Sequence, residues 1–172
     1  MALIRTVRGF APRFGKDAFL AETAVVIGDV VMGDQCSVWY NAVVRGDVHA
    51  IRVGHRVNIQ DGAVLHATFE KCGLTIGNDV SIRHNAIVHG CTVEDKVLIG
   101  MGAIVMDQAV IGTGSVIAAG AVVTQNTIVA PGSLMAGVPA RRIGAVSREL
   151  SEGEIERIAR NYIRYAGWFK EG

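Results

Sequence analysis

Three histidines, His66, His84 and His89, are the side chains of this 172-residue chain best suited to chemistry. His84 and His89 lie five residues apart in "SIRHNAIVHGC", and His66 in "VLHAT" lies eighteen residues before His84. Neutral imidazole binds Zn²⁺ through a nitrogen at about 2.0–2.1 Å, and a catalytic zinc site combines three such ligands with an open fourth position for water. The type and number of these residues therefore predict a metal site, provided that the fold brings them together.

The chain around the histidines repeats every six residues. The repeat contains a two-residue alternation, because a small residue usually stands two positions before each aliphatic one. Each hexad then forms a short strand and a corner, and three corners close a triangular coil of about 18 residues, as in a β-solenoid. Eighteen apolar residues are predicted to point inward: Ile27, Met32, Val38, Val44, Val53, Ile59, Leu65, Ile76, Ile82, Val88, Val93, Ile99, Val105, Ile111, Ile117, Val123, Val129 and Met135.

Two long gaps break the period. The gap between Val44 and Val53 predicts a loop containing "RGDVHA". The gap of eleven between Leu65 and Ile76 predicts that "TFEKCG" bulges from a corner. Such breaks make single coils different from their neighbours, and function often resides there.

The register of the coils places two of the histidines together. Leu65 and Val88 occupy the same side of successive coils, so His66 and His89 point outward one rung apart, roughly 4.8 Å between backbones. His84 lies on another side of the prism, because the bulge uses up five of the residues that separate it from His66. A homotrimer of parallel prisms would bring His84 of one chain to the histidine pair of the next.

Surface exposure is the alternative for any single outward histidine, and His49 and His55 are assigned to it. A closed structural zinc site would usually take cysteines, whereas Cys91 stands at an inward position and is predicted to lie in the core.

Composition narrows the classes of function. The formal net charge is +1 without a basic run, which argues against nucleic-acid binding, and no apolar segment is long enough for a membrane span. Three cysteines without a CxxC motif favour a reducing, cytoplasmic location.

The hexads stop after Ala140. We therefore predict a mainly β chain with a solenoid over 1–146 and a C-terminal helix over 147–172 that packs on it. Ser151 and Glu154 have the spacing of a capping box. An apolar stripe follows at helical spacing, formed by Ile155, Ile158, Tyr162, Ala166 and Phe169.

The segments "VVRGDVHAIRVGHRVNIQDGAVLHAT", "IRHNAIVHGCTVEDKVLIGMGAIVMD" and "AGVPARRI" resemble the gamma-class carbonic anhydrase family, in its short-loop bacterial subgroup. The resemblance covers nearly the whole chain and implies a left-handed β-helix trimer. It implies zinc, or iron, held by His66 and His89 of one subunit and His84 of the next.

The same resemblance assigns roles to six further residues. Gln60 would hydrogen-bond the solvent on the metal, Asn58 would orient Gln60, and Tyr162 is similar to a tyrosine that approaches the metal. Arg45, Asp47 and Asp61 resemble an interface charge network.

This chain departs from the archetype at two glutamates. The loop after the RGD stretch is only "VHAI", without an acidic residue, and Phe69, followed by Glu70, replaces an active-site glutamate. We expect hydration of carbon dioxide to bicarbonate with slow proton export. Alternatives that share the hexad repeat are an acyl-CoA thioesterase, an acyltransferase and a non-catalytic scaffold subunit.

Overall fold

Short parallel strands build a left-handed, three-sided solenoid of about seven turns, followed by one C-terminal helical segment. The computed structural model describes residues 1–169, so the last three residues of the predicted helix range, 170–172, lie outside the described part. Within residues 1–169 there is no helix long and apolar enough to cross a bilayer.

Two sheets form the three sides. The 12-stranded sheet wraps around two sides because β6 pairs with both β8 and β9. Its strands are β1 Leu3–Arg5, β2 Arg13–Phe14, β4 Val25–Met32, β6 Val43–Val53, β8 Val64–His66, β9 Leu74–Ile76, β11 Ile87–His89, β12 Thr92–Val93, β14 Ile104–Val105, β15 Val110–Ile111, β17 Val122–Val123 and β18 Ile128–Val129. The eight-stranded sheet contains β3 Phe19–Leu20, β5 Ser37–Val38, β7 Asn58–Ile59, β10 Ser81–Ile82, β13 Leu98–Ile99, β16 Val116–Ile117, β19 Ser133–Ala136 and β20 Arg141–Ala145.

We name the sides by their contents. The histidine side contains β8, β11, β14 and β17, and the third side contains β9, β12, β15 and β18. The helix side is the eight-stranded sheet, on which the C-terminal helix packs through Leu98 and Val116. Pairing is parallel throughout the coils, and the antiparallel pair β19–β20 ends the stack.

The predicted inward column is the core. Seventeen of its eighteen residues are buried, most of them completely. Ile27 is the exception, because in the long strand β4 the neighbouring Val26 points inward and is 0% exposed. The prediction of Ile27 as an inward residue is therefore wrong by one position. An eight-residue strand replaces the usual short strand and corner here, so the six-residue period no longer marks the inward side chain. Cys91 is buried as expected.

Residues with a left-handed backbone conformation form the corner between the helix side and the histidine side. Asn85 has a φ of 58° directly after His84, and Gly62, one coil earlier, has a φ of 69°. Asparagine and glycine tolerate this conformation best. A Cβ on Gly62 would displace the Asn85 side chain, so glycine suits the position where the two coils meet.

The two predicted breaks differ in form. Residues 45–50 are not a loop but part of β6, which continues across the corner with a register shift opposite Asp29. The second break is a bulge as predicted: an isolated antiparallel bridge joins Thr68 to Cys72 and makes a small projecting hairpin, residues 68–72.

The helical segment begins earlier than the predicted capping box. Ser147 caps it and accepts a hydrogen bond from the Leu150 backbone N–H at 3.1 Å. Ser151 already lies inside the helix, because α1 Arg148–Leu150 runs into a π-helical stretch, Ser151–Glu156, and then into α2 Arg157–Trp168. Of the predicted stripe, Ile155, Ile158 and Ala166 are buried, Tyr162 is partly buried, and Phe169 is 49% exposed while its ring contacts those of Phe19, Trp39 and Tyr40.

Truncation of the central core residue Ile99 tests the inward column. Ile99 is 0% exposed, so Ile99→Ala should lower the free energy of unfolding by about 2–5 kcal/mol through lost burial and a cavity. Ile128 belongs to the same repeat but is 79% exposed, so Ile128→Ala should change the free energy of unfolding by less than about 0.5 kcal/mol. Urea unfolding at one protein concentration measures both, and equal losses would contradict the assigned register.

Candidate metal centre

His66 and His89 meet at the edge of the histidine side. They end β8 and β11, and the parallel register pairs them directly as neighbours on successive rungs. Their ring centroids are 5.1 Å apart, and Nδ1 of His66 lies 3.1 Å from Nε2 of His89. Both side chains are accessible, with exposures of 17% and 33%. The structure therefore brings together two of the three predicted ligands.

Asp47 holds the far nitrogen of His66. Nε2 of His66 donates to Asp47 at 3.0 Å, and Arg45 donates to the other carboxylate oxygen at 2.7 Å. Burial by itself would raise the pKa of Asp47, but the bonds from Arg45 and His66 outweigh it and lower that pKa. Arg45 and Asp47 were predicted to serve an interface, and within one chain they form this support for His66.

Asp107 holds His89 in the same way, and sequence reasoning missed it. Nδ1 of His89 donates to Asp107 at 2.5 Å, and the carboxylate also accepts from Thr68 at 2.7 Å. These bonds outweigh the effect of burial and lower the pKa of Asp107. The register contained a usable signal: Asp107 follows Val105 by two residues as Gly90 follows Val88, which places it one rung from Gly90 and beside His89.

The pair fits a divalent metal. Because both carboxylates are ionised acceptors, the ring nitrogens that face them carry the protons, which leaves Nδ1 of His66 and Nε2 of His89 to face each other. Burial also lowers the pKa of His66, so its facing nitrogen is unprotonated at neutral pH. Two facing lone pairs repel each other unless a cation lies between them. Their 3.1 Å separation is close to the roughly 3.3 Å between two nitrogen ligands of a tetrahedral zinc ion.

His84 lies elsewhere in the same chain. It occupies the corner before β11, whereas His89 ends that strand, so the length of β11 separates them. Its Nδ1 lies 2.9 Å from Asp61, and both side chains are well exposed. In residues 1–169 no group of three or more histidine, cysteine or acidic side chains is arranged to hold a metal ion. A single chain thus presents the His66–His89 pair at one edge of the histidine side and His84 at the other.

Gln60 and Asn58 form a buried polar chain on the helix side. Gln60 donates to Asn58 Oδ1 at 2.8 Å, and Asn58 donates to the Ser81 hydroxyl at 2.8 Å. Gln60 follows the inward Ile59, and it is only 1% exposed on the side against which the helix packs. Its Oε1 is one of two buried side-chain atoms in the described part of the chain without a hydrogen-bond partner. The other is Nε of Arg83, the residue directly before His84.

Tyr162 lies on α2, near the corner of the solenoid that carries Asp61 and His84. Its ring packs edge-on against Trp39 at 5.2 Å. Burial, reinforced by the charge of Asp61, raises the pKa of Tyr162 to about 12, and its hydroxyl therefore stays protonated. The structure places Tyr162 close enough to Asp61 and Arg83 for their charges to act on it.

The two positions at which the family archetype has glutamates, residue 69 and the 48–51 segment, carry no carboxylate in this chain. Phe69 forms the tip of the projecting hairpin with 51% exposure, and the Arg8 guanidinium lies 5.5 Å above its ring. Glu70 is exposed and turns at a φ of 52°. The "VHAI" segment belongs to β6, with His49 exposed to solvent as expected.

Comparison with known proteins identifies the repeat and close relatives. Residues 90–125 match the family described as "Bacterial transferase hexapeptide (six repeats)". A protein of Methanocaldococcus jannaschii named "Probable carbonic anhydrase" is 56% identical over 150 residues, which is 87% of this chain and 91% of that protein. The "Carbonic anhydrase" of Geobacillus kaustophilus is 43% identical over 171 residues, which is 98% of this chain and 91% of its own length.

A solved structure shares the fold. The hexapeptide transferase family protein from Anaplasma phagocytophilum superposes with a TM-score of 0.92 at 39% identity, over 97% of this chain and 98% of that one. The chain thus shares its fold with a protein named for the hexapeptide transferase family, while the relatives named carbonic anhydrase resemble it in sequence.

Proposed function

Because the chain belongs to the gamma-class carbonic anhydrase family, we propose that it is a metal-dependent lyase that hydrates carbon dioxide to bicarbonate at the interfaces of a homotrimer. The observation that carries the proposal is the His66–His89 pair, whose facing nitrogens lie 3.1 Å apart with a carboxylate behind each ring. Zinc is the proposed metal, and Fe²⁺ suits the same imidazole ligands.

The third ligand is the partner subunit's His84. His84 cannot reach the pair in its own chain, it is exposed, and Asp61 binds its Nδ1 as Asp47 and Asp107 bind the other two rings. Three histidines that each donate to a carboxylate have the fixed tautomer typical of metal ligands. This common feature supports one metal site built from two chains.

An apolar ladder supports the trimer. Outward residues of successive rungs on the histidine side lie in register beside the histidine pair, and all are partly or well exposed: Val43, Val64, Ile87, Ile104 and Val122. A flat row of β-branched side chains is a surface that a second copy of the chain would bury. Met101, 44% exposed, lies one rung from His84 at the opposite edge and could enter the same contact.

The metal supplies an activated water at neutral pH by lowering the pKa of water bound to it. The chain's residues orient the reactants. Oε1 of Gln60, buried and without a partner, is an acceptor for a water O–H, and Asn58 fixes the amide so that Oε1 is the free end. The Tyr162 hydroxyl, protonated at all physiological pH values, can donate to an oxygen of bicarbonate.

Proton export should limit the turnover of the metal-replete protein. Neither Phe69 nor the 48–51 segment offers a carboxylate that could relay the proton, so an external base has to accept it. Stopped-flow hydration of carbon dioxide should therefore rise with the concentration of an imidazole-type buffer at constant pH and ionic strength. Metal content, measured on anaerobically purified protein, provides the normalisation.

Absence of carbon dioxide hydration in metal-replete protein would contradict the proposal. Metal-replete protein without hydration at any buffer concentration would leave the acyl-CoA thioesterase or acyltransferase alternative, which the transferase repeat match at 90–125 favours. Release of free thiol from an acyl-CoA, with and without an acceptor amine, would then separate these two activities. A protein inactive in all three assays but loaded with metal would be a scaffold.

A further inference from the structure

We propose that Asp107, tied to the projecting hairpin through Thr68 and Lys71, is a positioning residue that fixes the tautomer of His89 and so sets the metal affinity of the site. The proposal rests on the metal site of the proposed function, but the state of the His89 ring can be measured independently of any activity. It assigns the hairpin 68–72 a role in the metal centre.

The carboxylate of Asp107 is the most enclosed of those that contact the histidines. Its side chain is 9% exposed, compared with 26% for Asp47 and 43% for Asp61. Oδ1 accepts from Nδ1 of His89 at 2.5 Å, while Oδ2 accepts from the Thr68 hydroxyl at 2.7 Å and lies 3.6 Å from the Lys71 ammonium. Both oxygens are thus occupied, and the carboxylate has little freedom to turn away from the ring.

A glycine makes this contact possible. Gly90 follows His89 directly and lies one rung from Asp107. A Cβ at Gly90 would come within 2.7 Å of Oδ1 of Asp107 and 2.6 Å of Cys72 Sγ. The φ of 51° also suits glycine. The absent side chain leaves the space through which Asp107 reaches across to the ring of the previous coil.

The hairpin completes the arrangement from outside the solenoid. Thr68 begins it and Lys71 lies near its end, and the isolated bridge between Thr68 and Cys72 holds its two arms together. The five residues that lengthen this coil therefore supply both groups that hold Oδ2 of Asp107. The interruption of the repeat next to the histidine pair thus brings Thr68 and Lys71 to Asp107.

The chemical consequence concerns one proton. A carboxylate only accepts hydrogen bonds, so it keeps the His89 proton on Nδ1 and the lone pair on Nε2, the nitrogen that faces His66. An asparagine of the same shape can donate through its amide nitrogen, which favours the opposite tautomer and places a proton where the metal has to bind. Loss of such outer partners typically lowers metal affinity about 10- to 100-fold.

The test uses the full-length chain with Zn²⁺ alone as the probe. We expect Asp107→Asn to weaken Zn²⁺ binding about 10- to 100-fold in a chelator competition and to move the His89 proton from Nδ1 to Nε2 in ¹⁵N spectra of the imidazoles before metal is added. Asp95→Asn is the matched control and should leave both measurements unchanged, because the side-chain hydrogen bonds of Asp95 in residues 1–169 come from the Asn78 backbone and amide. Thr68→Val removes one hydrogen bond to Oδ2 of Asp107 and should cause a smaller loss of Zn²⁺ affinity. Added to Asp107→Asn in a double variant, it should cause no further loss.

The possible results separate the two proposals. An unchanged His89 tautomer and unchanged Zn²⁺ affinity in folded Asp107→Asn would overturn the role of Asp107, and so would fully additive effects of Thr68→Val. If Asp107→Asn does not fold, Thr68→Val alone decides, by the presence or absence of its loss of affinity. Wild-type protein that shows the Nδ1–H tautomer and binds Zn²⁺ but does not hydrate carbon dioxide would refute the proposed function and leave the role of Asp107 intact.

Discussion

Replacement of His84 by alanine is expected to empty the metal site although the other two ligands remain together in every chain. The loss of affinity should exceed the roughly 10- to 100-fold typical of an outer partner, because a direct ligand is removed. The solenoid should stay folded, since His84 is an exposed corner side chain whose contact is with Asp61. Metal content and circular dichroism measure the two effects.

Mixing two empty variants should restore metal binding. His84→Ala chains retain the His66–His89 pair, and His66→Ala chains retain His84, so an interface in which the first type receives His84 from the second is complete. Random assembly of equal amounts into trimers makes about a quarter of the interfaces intact. Metal content and hydration should both return to about that fraction of the wild-type values.

The controls define what would contradict a shared site. His55→Ala removes an exposed histidine whose partner is Asp34, and it should leave metal content unchanged. His84→Ala mixed with His66→Ala chains should stay empty if all three ligands come from one chain. Retention of full metal by His84→Ala alone would remove His84 from the ligand set.

Gln60→Ala is expected to give the second large effect, a loss of hydration of about 10- to 100-fold with the metal still bound. The structure explains the separation, because within residues 1–169 the Gln60 amide bonds to Asn58 and not to a histidine, and it presents a buried Oε1 without a partner. Removal of that acceptor should disorder the attacking water without altering the ligands. Single-turnover hydration in high imidazole buffer isolates this step from proton export.

A matched variant distinguishes orientation of water from general destabilisation. Gln125 is an exposed glutamine at another corner, and Gln125→Ala should leave hydration unchanged. Asn58→Ala should reproduce part of the Gln60→Ala loss, since it releases the amide that Asn58 fixes. Equal loss of metal and of activity in Gln60→Ala would show instead that this residue maintains the site's structure.

Three carboxylates give the site a common construction. Asp47, Asp61 and Asp107 each contact one histidine, and the lowered pKa values of Asp47 and Asp107 keep those two groups ionised well below neutral pH. The ring nitrogens that would meet the metal are therefore defined before it binds. Such preorganisation would suit the proposed site between two chains, because each chain would then hold its histidines in the binding orientation before assembly.

The sequence by itself determined the solenoid and the pairing of His66 with His89. A six-residue spacing of β-branched and aliphatic residues favours a three-sided coil, and each rung repeats it, so between the breaks the register follows by counting. Counting failed at Ile27 and at the 45–50 segment, where long strands replace the short strand and corner and the period no longer marks which residue points inward.

Only the tertiary structure decided what surrounds the histidines. Asp107 is eighteen residues from His89, and its contact depends on the missing side chain of Gly90 and on how the predicted bulge folds into a hairpin that reaches Asp107. The burial of Gln60 likewise required the helix, whose start at Ser147 depends on backbone geometry rather than on the Ser151–Glu154 spacing. Periodicity fixes the positions along the rungs, whereas the side-chain contacts between rungs, hairpin and helix depend on distances of a few ångströms that appear only when the chain is folded.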